Sequence, residues 1–214
     1  MSLADYYSRW AMAAAQVLAD FDHSEFVRRL EETALGIRFS QEAGDSPEGR
    51  ALLDLLVRLT ARLYPKLVLQ APDRQSPLAS ELVQLASRIN PAIELAEGDD
   101  EASFWIGVGG DALVPEGRGV YAGSNGWIAL VSADAAQPTG HSRNPFGAGA
   151  AACVAAGNAF RFIFADRSPD TLDREAALST WRLASGAGPE LEAIAVNDLT
   201  LVGVGAIGNA TSWA

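Results

Sequence analysis

Apolar positions in the first forty residues recur at intervals of three and four: Tyr7, Trp10, Ala14, Val17, Leu18, Phe21, Phe26, Leu30, Leu35 and Ile37. That spacing matches a helix with one buried stripe, so residues 3–42 are expected to be helical. Asp22 or Ser24 is placed to cap a second helix, and Gly36 falls late in that helix or near its end. A third helix is predicted from Pro47, which follows Ser46 and suits a first helical position, through Leu52, Leu55, Leu56, Leu59 and Leu63 to a stop at Tyr64-Pro65.

The pattern then changes class. Lys66 to Gln70 is a short apolar run, Ser76 to Ile89 is amphipathic and opened by Ser76-Pro77, and Ile93 to Leu95 is another short run. Together they read as β-α-β. Phe104 to Val108 is a further apolar strand. Gly119 to Ala122 and Trp127 to Ser132 flank Gly123-Ser124-Asn125-Gly126, whose turn residues predict a hairpin. Beyond a polar loop, the small residues from Asn144 to Gly149 lead into Ala150 to Phe164, an Ala-rich stretch read as a buried helix. A short helix is expected over Leu172 to Leu183, followed by a break at Ser185 to Pro189 and a strand over Leu199 to Val202.

Composition narrows the class. With 49% hydrophobic and 20% charged residues among 214, the chain can bury a core. A formal net charge of -11, with Arg28-Arg29 as the only dense basic cluster, disfavours nucleic acid and anionic membrane as partners. The N-terminus lacks the basic start and apolar block of a secretory signal, and Arg161 and Asp166 interrupt the longest apolar stretch, so no membrane span is expected. The single cysteine, Cys153, excludes an internal disulfide and suits a reducing cytoplasm.

The strand over Leu199 to Val202 runs into Gly203-Val204-Gly205-Ala206-Ile207-Gly208, followed by the start of a helix. In that position the first glycine permits a sharp turn, the second a close approach of backbone to phosphate, and the third tight helix–strand packing. A tight crossing that binds nothing is the plain alternative. The run Leu199 to Asn209 resembles the phosphate loop of the ThiF-like, ubiquitin-activating-type adenylating enzymes, and Asn144 to Cys153 resembles a Pro- and Gly-led helix near the end of Rossmann-like domains in some relatives. The resemblance covers about a fifth of the chain. It implies ATP and Mg2+ in a full-length protein that adenylates the carboxyl terminus of a ubiquitin-like protein or peptide, with pyrophosphate leaving. Only Gly203, Gly205 and Gly208 carry over as nucleotide-binding positions, and the catalytic residues of the family would lie further along.

The other polar candidates weigh less. Cys153 sits amid Ala and Val and reads as an inert core thiol rather than a thioester-forming nucleophile. His23 and His141 have no partner at ligand spacing, so no metal site is expected. Asp99, Asp100 and Glu101 read as an exposed turn. Gly107-Val108-Gly109-Gly110 imitates a phosphate loop, but no convincing helix follows to supply a dipole. Ser142-Arg143-Asn144 is kept as a pocket rim for a carboxylate or phosphate. Trp10, Trp105, Trp127 and Trp181 are read as core and seam anchors.

The expected architecture is α/β: a helical region over residues 1–65, a degenerate Rossmann-like three-layer domain over 66–190, and over 193–214 the first strand of a truncated second Rossmann-like domain. The turn after Leu69 has no glycine to cradle phosphate. The fragment itself is expected to be an inactive cytoplasmic module without cofactor. Its expected partners are a ubiquitin-like protein or peptide, the missing catalytic domain and a second copy in a homodimer. An NAD(P)-dependent oxidoreductase and a non-catalytic interaction module are the competing readings.

Overall fold

A computed structural model describes residues 11–73, 76–96, 102–168 and 171–191. After a helical turn at 11–14 the elements are α1 (His23–Glu32), β1 (Ala34–Phe39), α2 (Gln41–Asp45), α3 (Pro47–Leu63), β2 (Lys66–Gln70), α4 (Pro77–Ile89), β3 (Glu94–Ala96), β4 (Phe104–Val108), β5 (Gly119–Asn125), β6 (Ile128–Ser132), α5 (Phe146–Ile163) and β7 (Glu175–Ser179). Hydroxyl and carboxylate caps set the helix starts. Asp22, Ser46 and Ser76 each accept a hydrogen bond from the backbone N–H three residues on, and Pro47 and Pro77 occupy first helical positions that need no donor.

The seven strands lie in the order β3-β2-β1-β4-β5-β6-β7. The first five are parallel; β6 and β7 are antiparallel additions. The sheet therefore grows from β1 in one direction through β2 and β3, and from β4 in the other, which places the topological switch point between β1 and β4. This is a Rossmann-like α/β sheet.

Two expectations are corrected. Leu35 and Ile37 do not continue a helix: Ala34–Phe39 is the strand at the switch point, with Leu35, Ile37 and Phe39 in the core and Gly36 and Arg38 on the opposite face. Three apolar residues at spacing two satisfy a strand as well as a helix, and pairing to both β2 and β4 decides for the strand. The sheet thus begins before residue 66 and includes part of the region read as helical. Likewise Leu172 to Leu183 contains no helix; Glu175–Ser179 pairs with β6, so that Ala176 packs toward the core. The strands at Lys66–Gln70 and Phe104–Val108 lie where the sequence placed them, and a hairpin forms as expected, but its turn is shifted: Gly123, Ser124 and Asn125 pair within β5 and the chain reverses at Gly126-Trp127.

Helices α1, α3, α4 and α5 share one continuous core with the inward residues of the sheet. Phe26 of α1 packs on Phe160 and Phe164 at the end of α5, and the bidentate pair from Arg29 to Asp166 ties the same two elements at 2.5 and 2.8 Å. Helix α5 is long and apolar enough to cross a membrane by composition, yet Ala148, Ala151, Ala152, Ala155 and Ala159 face the core. Its one buried amide, Asn158, donates to the Asp173 carbonyl at 3.1 Å and accepts from the Asp173 N–H at 2.9 Å, fixing the approach to β7.

On the other face no helix packs among the described residues. A second, smaller cluster of Val68, Ala102 and Trp105 covers it. Gly36 makes that possible, because a Cβ there would lie 2.3 Å from the Trp105 ring. The Arg38 guanidinium stacks on the same indole at 4.9 Å.

Candidate functional site

In an open parallel sheet, ligands settle beyond the carboxyl ends of the strands at the switch point, where flanking helices diverge. Here that place is β1 running into Ser40 and β4 running into Gly109-Gly110. Three of its backbone donors are engaged within the chain. Ser40 N donates to the Val108 carbonyl at 2.9 Å, Ala43 N to Ser40 Oγ at 3.1 Å, and Gly110 N to Glu42 Oε2 at 3.4 Å. Gly109 adopts φ 102°, and a Cβ on it would stand 2.0 Å from Ser40 Oγ, so the two strand ends close directly on one another. An incoming phosphate would find these donors engaged and would face the Glu42 carboxylate, with Asp45 and Asp111 nearby in the chain. Those three donors are not free for a nucleotide phosphate.

The open space of the molecule begins at this place, where Ser40, Gln41, Asp111 and Ala112 form part of its lining. A crevice of about 790 Å³ runs along the ends of β1, β2 and β3 to α4, with Leu69, Leu82 and Leu95 among its apolar walls and Gln41, Gln70 and Gln84 among its amides. Arg38 lines it too, donating from Nε to Gln70 Oε1 at 2.6 Å and from Nη1 to the Leu113 carbonyl. Asp111 stands at the other side.

Toward the opposite half of the sheet lies a closed polar knot. Glu48, in the first turn of α3, is 1% exposed and accepts four hydrogen bonds: from Ser124 Oγ at 2.7 Å, Gly126 N at 2.9 Å, Ser142 N at 3.1 Å and Ser142 Oγ at 2.6 Å. Next to it Ser46 Oγ donates to Thr139 Oγ1 at 3.0 Å. The positive end of α3 favours the anion, and the four donors replace its lost water. This carboxylate joins α3, the β5–β6 hairpin and the loop before α5.

The residues singled out in the sequence fall in different places. Ser142, expected on a pocket rim, is spent on Glu48, and Asn144 is buried with its Oδ1 accepting from Phe146 N at 3.0 Å. Cys153 is not a core thiol: it is exposed on the outward side of α5, because the buried alanines at 151, 152 and 155 occupy the other side of the turn, and partial desolvation there pushes its thiol up. His23 begins α1 and His141 lies in a loop, both exposed. Trp105 is buried with its Nε1 lacking a hydrogen-bond partner among the described residues, whereas Trp127 stacks on Phe146 and meets Trp181, which is largely exposed. Asp99, Asp100, Glu101, Trp10, Gly203, Gly205 and Gly208 lie outside the described residues. Among the described residues no group of three His, Cys, Asp or Glu side chains is placed to hold a metal ion. Reasoning from sequence missed Glu48, Glu42 and Arg38. Only Arg38 carried a signal, a lone cation inside an alternating apolar run.

Fold and site define a Rossmann-like α/β domain with an open crevice at the carboxyl ends of its parallel strands. The same fold is found in E. coli MccB solved with MccA (TM-score 0.56, 14% identity, 84% of this chain and 69% of that one) and in PaaA (TM-score 0.59, 10% identity, 86% and 82%). MccB has also been solved with ATP, at TM-score 0.52 and 11% identity over 76% of this chain and 65% of that one. The likeness shows a shared fold and does not single out ThiF. Residues 38–165 match the family model for prokaryotic E2 family C, and the chain belongs to that family. It is also 37% identical over 220 residues to the uncharacterized protein y4jF of Sinorhizobium fredii, spanning 42% of that protein's length.

Proposed function

We propose that this domain is the partner-recognition part of a longer protein of the ubiquitin-activating type. In that protein the carboxyl terminus of a ubiquitin-like protein or peptide is adenylated: a carboxylate oxygen bonds to the α-phosphorus of ATP while the bond to the bridging oxygen breaks and pyrophosphate leaves. The nucleotide and Mg2+ are assigned to the polypeptide around Gly203, Gly205 and Gly208 and beyond, not to the switch point between β1 and β4. One observation carries this division of labour: at the switch point Ala43 N serves Ser40 and Gly110 N serves Glu42, while the crevice that Ser40 and Gln41 also line stands open. The likeness to MccB, solved both with ATP and with MccA, supports a setting in which a nucleotide and a partner meet.

The test is ATP–pyrophosphate exchange by full-length y4jF and by the present 214-residue chain. Exchange by the longer protein that depends on an added polypeptide, and none by the shorter chain, is the expected result. Binding of NAD without ATP by the longer protein would replace this reading with an oxidoreductase.

A further inference from the structure

An uncovered apolar corner lies at the β7 side of the sheet, far along the strand order from the crevice. Trp127, in the turn between β5 and β6, stacks on Phe146 at 5.1 Å and meets Trp181 at 5.1 Å. Thr180 holds Trp181 there, donating from its N–H and its hydroxyl to the Trp127 carbonyl at 2.8 and 2.9 Å. Trp181 is nonetheless 55% exposed and Leu183 79%, and Phe146 and Leu178 are exposed as well. Val83 and Leu113 stand singly on other elements, whereas here the exposure is contiguous, which marks a surface made to be covered. Leu183 also holds φ 55°, a left-handed backbone that disfavours leucine, and gains no burial in return. β7 is the outermost strand among the described residues, an edge that a further strand can extend.

The course of the chain selects the occupant. Gly188 passes so close to Trp127 that a Cβ would lie 2.5 Å from its ring, and the Pro189 carbonyl accepts from Trp127 Nε1 at 2.5 Å. The polypeptide therefore leaves the described body, at Leu191, from the corner itself. Residues 192–214 follow, with Ile194, Val196, Leu199, Leu201 and Val202 grouped in their first half and no lysine or arginine. An apolar segment tethered at the rim of an apolar corner meets it at high effective concentration, and burial of both drives the contact. We infer that residues 192–214 seat on the corner formed by Trp127, Phe146, Trp181 and Leu183, which docks the start of the nucleotide-carrying part against the β7 side of this domain. The inference rests on the division of labour proposed above and gives that division its seam.

Hydroxyl-radical footprinting of the 214-residue chain, read by mass spectrometry at Trp181, tests it. The triple variant Ile194→Asp, Leu199→Asp, Leu201→Asp is expected to raise oxidation of Trp181 about threefold, with the exposed Met12 as an unchanged reference. The reciprocal variant, Trp181→Lys with Leu183→Asp, alters two exposed positions and so spares the core. It is expected to speed amide hydrogen exchange over residues 193–202 about tenfold. Unchanged Trp181 oxidation in the first variant, or unchanged exchange in the second, overturns the inference. Protection of Trp181 that disappears on dilution overturns it too, because a second copy would then be the occupant. If the two couplings are absent while full-length y4jF performs ATP–pyrophosphate exchange, the seam fails and the proposed function stands. If they are present and that exchange is absent, the seam stands and the proposed function fails.

Discussion

Two carboxylates six residues apart behave in opposite ways. Glu48 is buried and takes four hydrogen bonds from the hairpin and the following loop, so it is consumed in holding the right half of the sheet to α3. Glu42 is exposed, makes one long contact to Gly110 N, and follows Gln41, a residue of the crevice wall, in the chain. The difference is one of completion. A buried charge persists only where its partners are all supplied within the fold, whereas an exposed charge next to a cavity keeps its field available to a ligand. The half of the sheet around Glu48 is therefore architecture, and the half around β1, β2 and β3 is where recognition is sought.

The sharpest way to break this contrast is at Glu48. Glu48→Ala strands Ser124, Gly126 and Ser142 without their acceptor and is expected to cost about 3–5 kcal/mol in chemical denaturation. Glu48→Gln retains one acceptor but turns a second donor toward the same groups, and should cost about 1–2 kcal/mol. Equal stability of wild type and Glu48→Ala would remove the structural role. Glu42→Gln serves as the control and is expected to leave the denaturation midpoint unchanged.

A smaller effect is expected on the face opposite the helices. Gly36→Ala drives a methyl into the Trp105 ring and should destabilise by about 1–3 kcal/mol, with a shift in tryptophan emission as the indole and its Arg38 partner move. Smallest is the surface pair at the base of α1. Arg29, hydrogen-bonded to Asp166, holds that carboxyl down at about 2. The folded value lies below the unfolded one, so whatever the pair contributes is complete above about pH 4 and is lost as pH falls toward 2. In a carboxyl NMR titration, Arg29→Gln should return Asp166 to the ordinary aspartate range; an unchanged midpoint would show that Arg29 is not the cause.

Much of the fold was legible because caps and turns are local. Ser46-Pro47 and Ser76-Pro77 mark helix starts whatever surrounds them, and the small residues from Gly123 to Gly126 announced a hairpin whose turn falls three residues later, at Gly126-Trp127. β1 was misread because Leu35, Ile37 and Phe39 are too few to separate a period of two from a period of 3.6, and only the neighbours β2 and β4 settle it. β7 was misread for a related reason: an edge strand of alanines carries no strong pattern, and its pairing to β6 is a tertiary choice. A phosphate-cradling turn was sought after Leu69 because β1 had not been recognised as the first strand. Glu48 gave no signal, since an acid in the first turn of a helix is ordinary and its burial depends on loops more than seventy residues away. Cys153 shows the converse limit. Alanine neighbours imply a core, but a helix has two sides and composition does not say which one the thiol occupies.

The central claim is that the engaged donors at the switch point between β1 and β4 serve the chain itself rather than a nucleotide, and that the crevice they border serves recognition. Titrating ATP-Mg2+ into the isotopically labelled chain, with the amides of Ala43, Gly44, Gly109 and Gly110 resolved, tests this most directly. Those four resonances are expected to stay in place at saturating nucleotide, whatever happens around Gly203 to Gly208. Saturable shifts at all four would contradict the account.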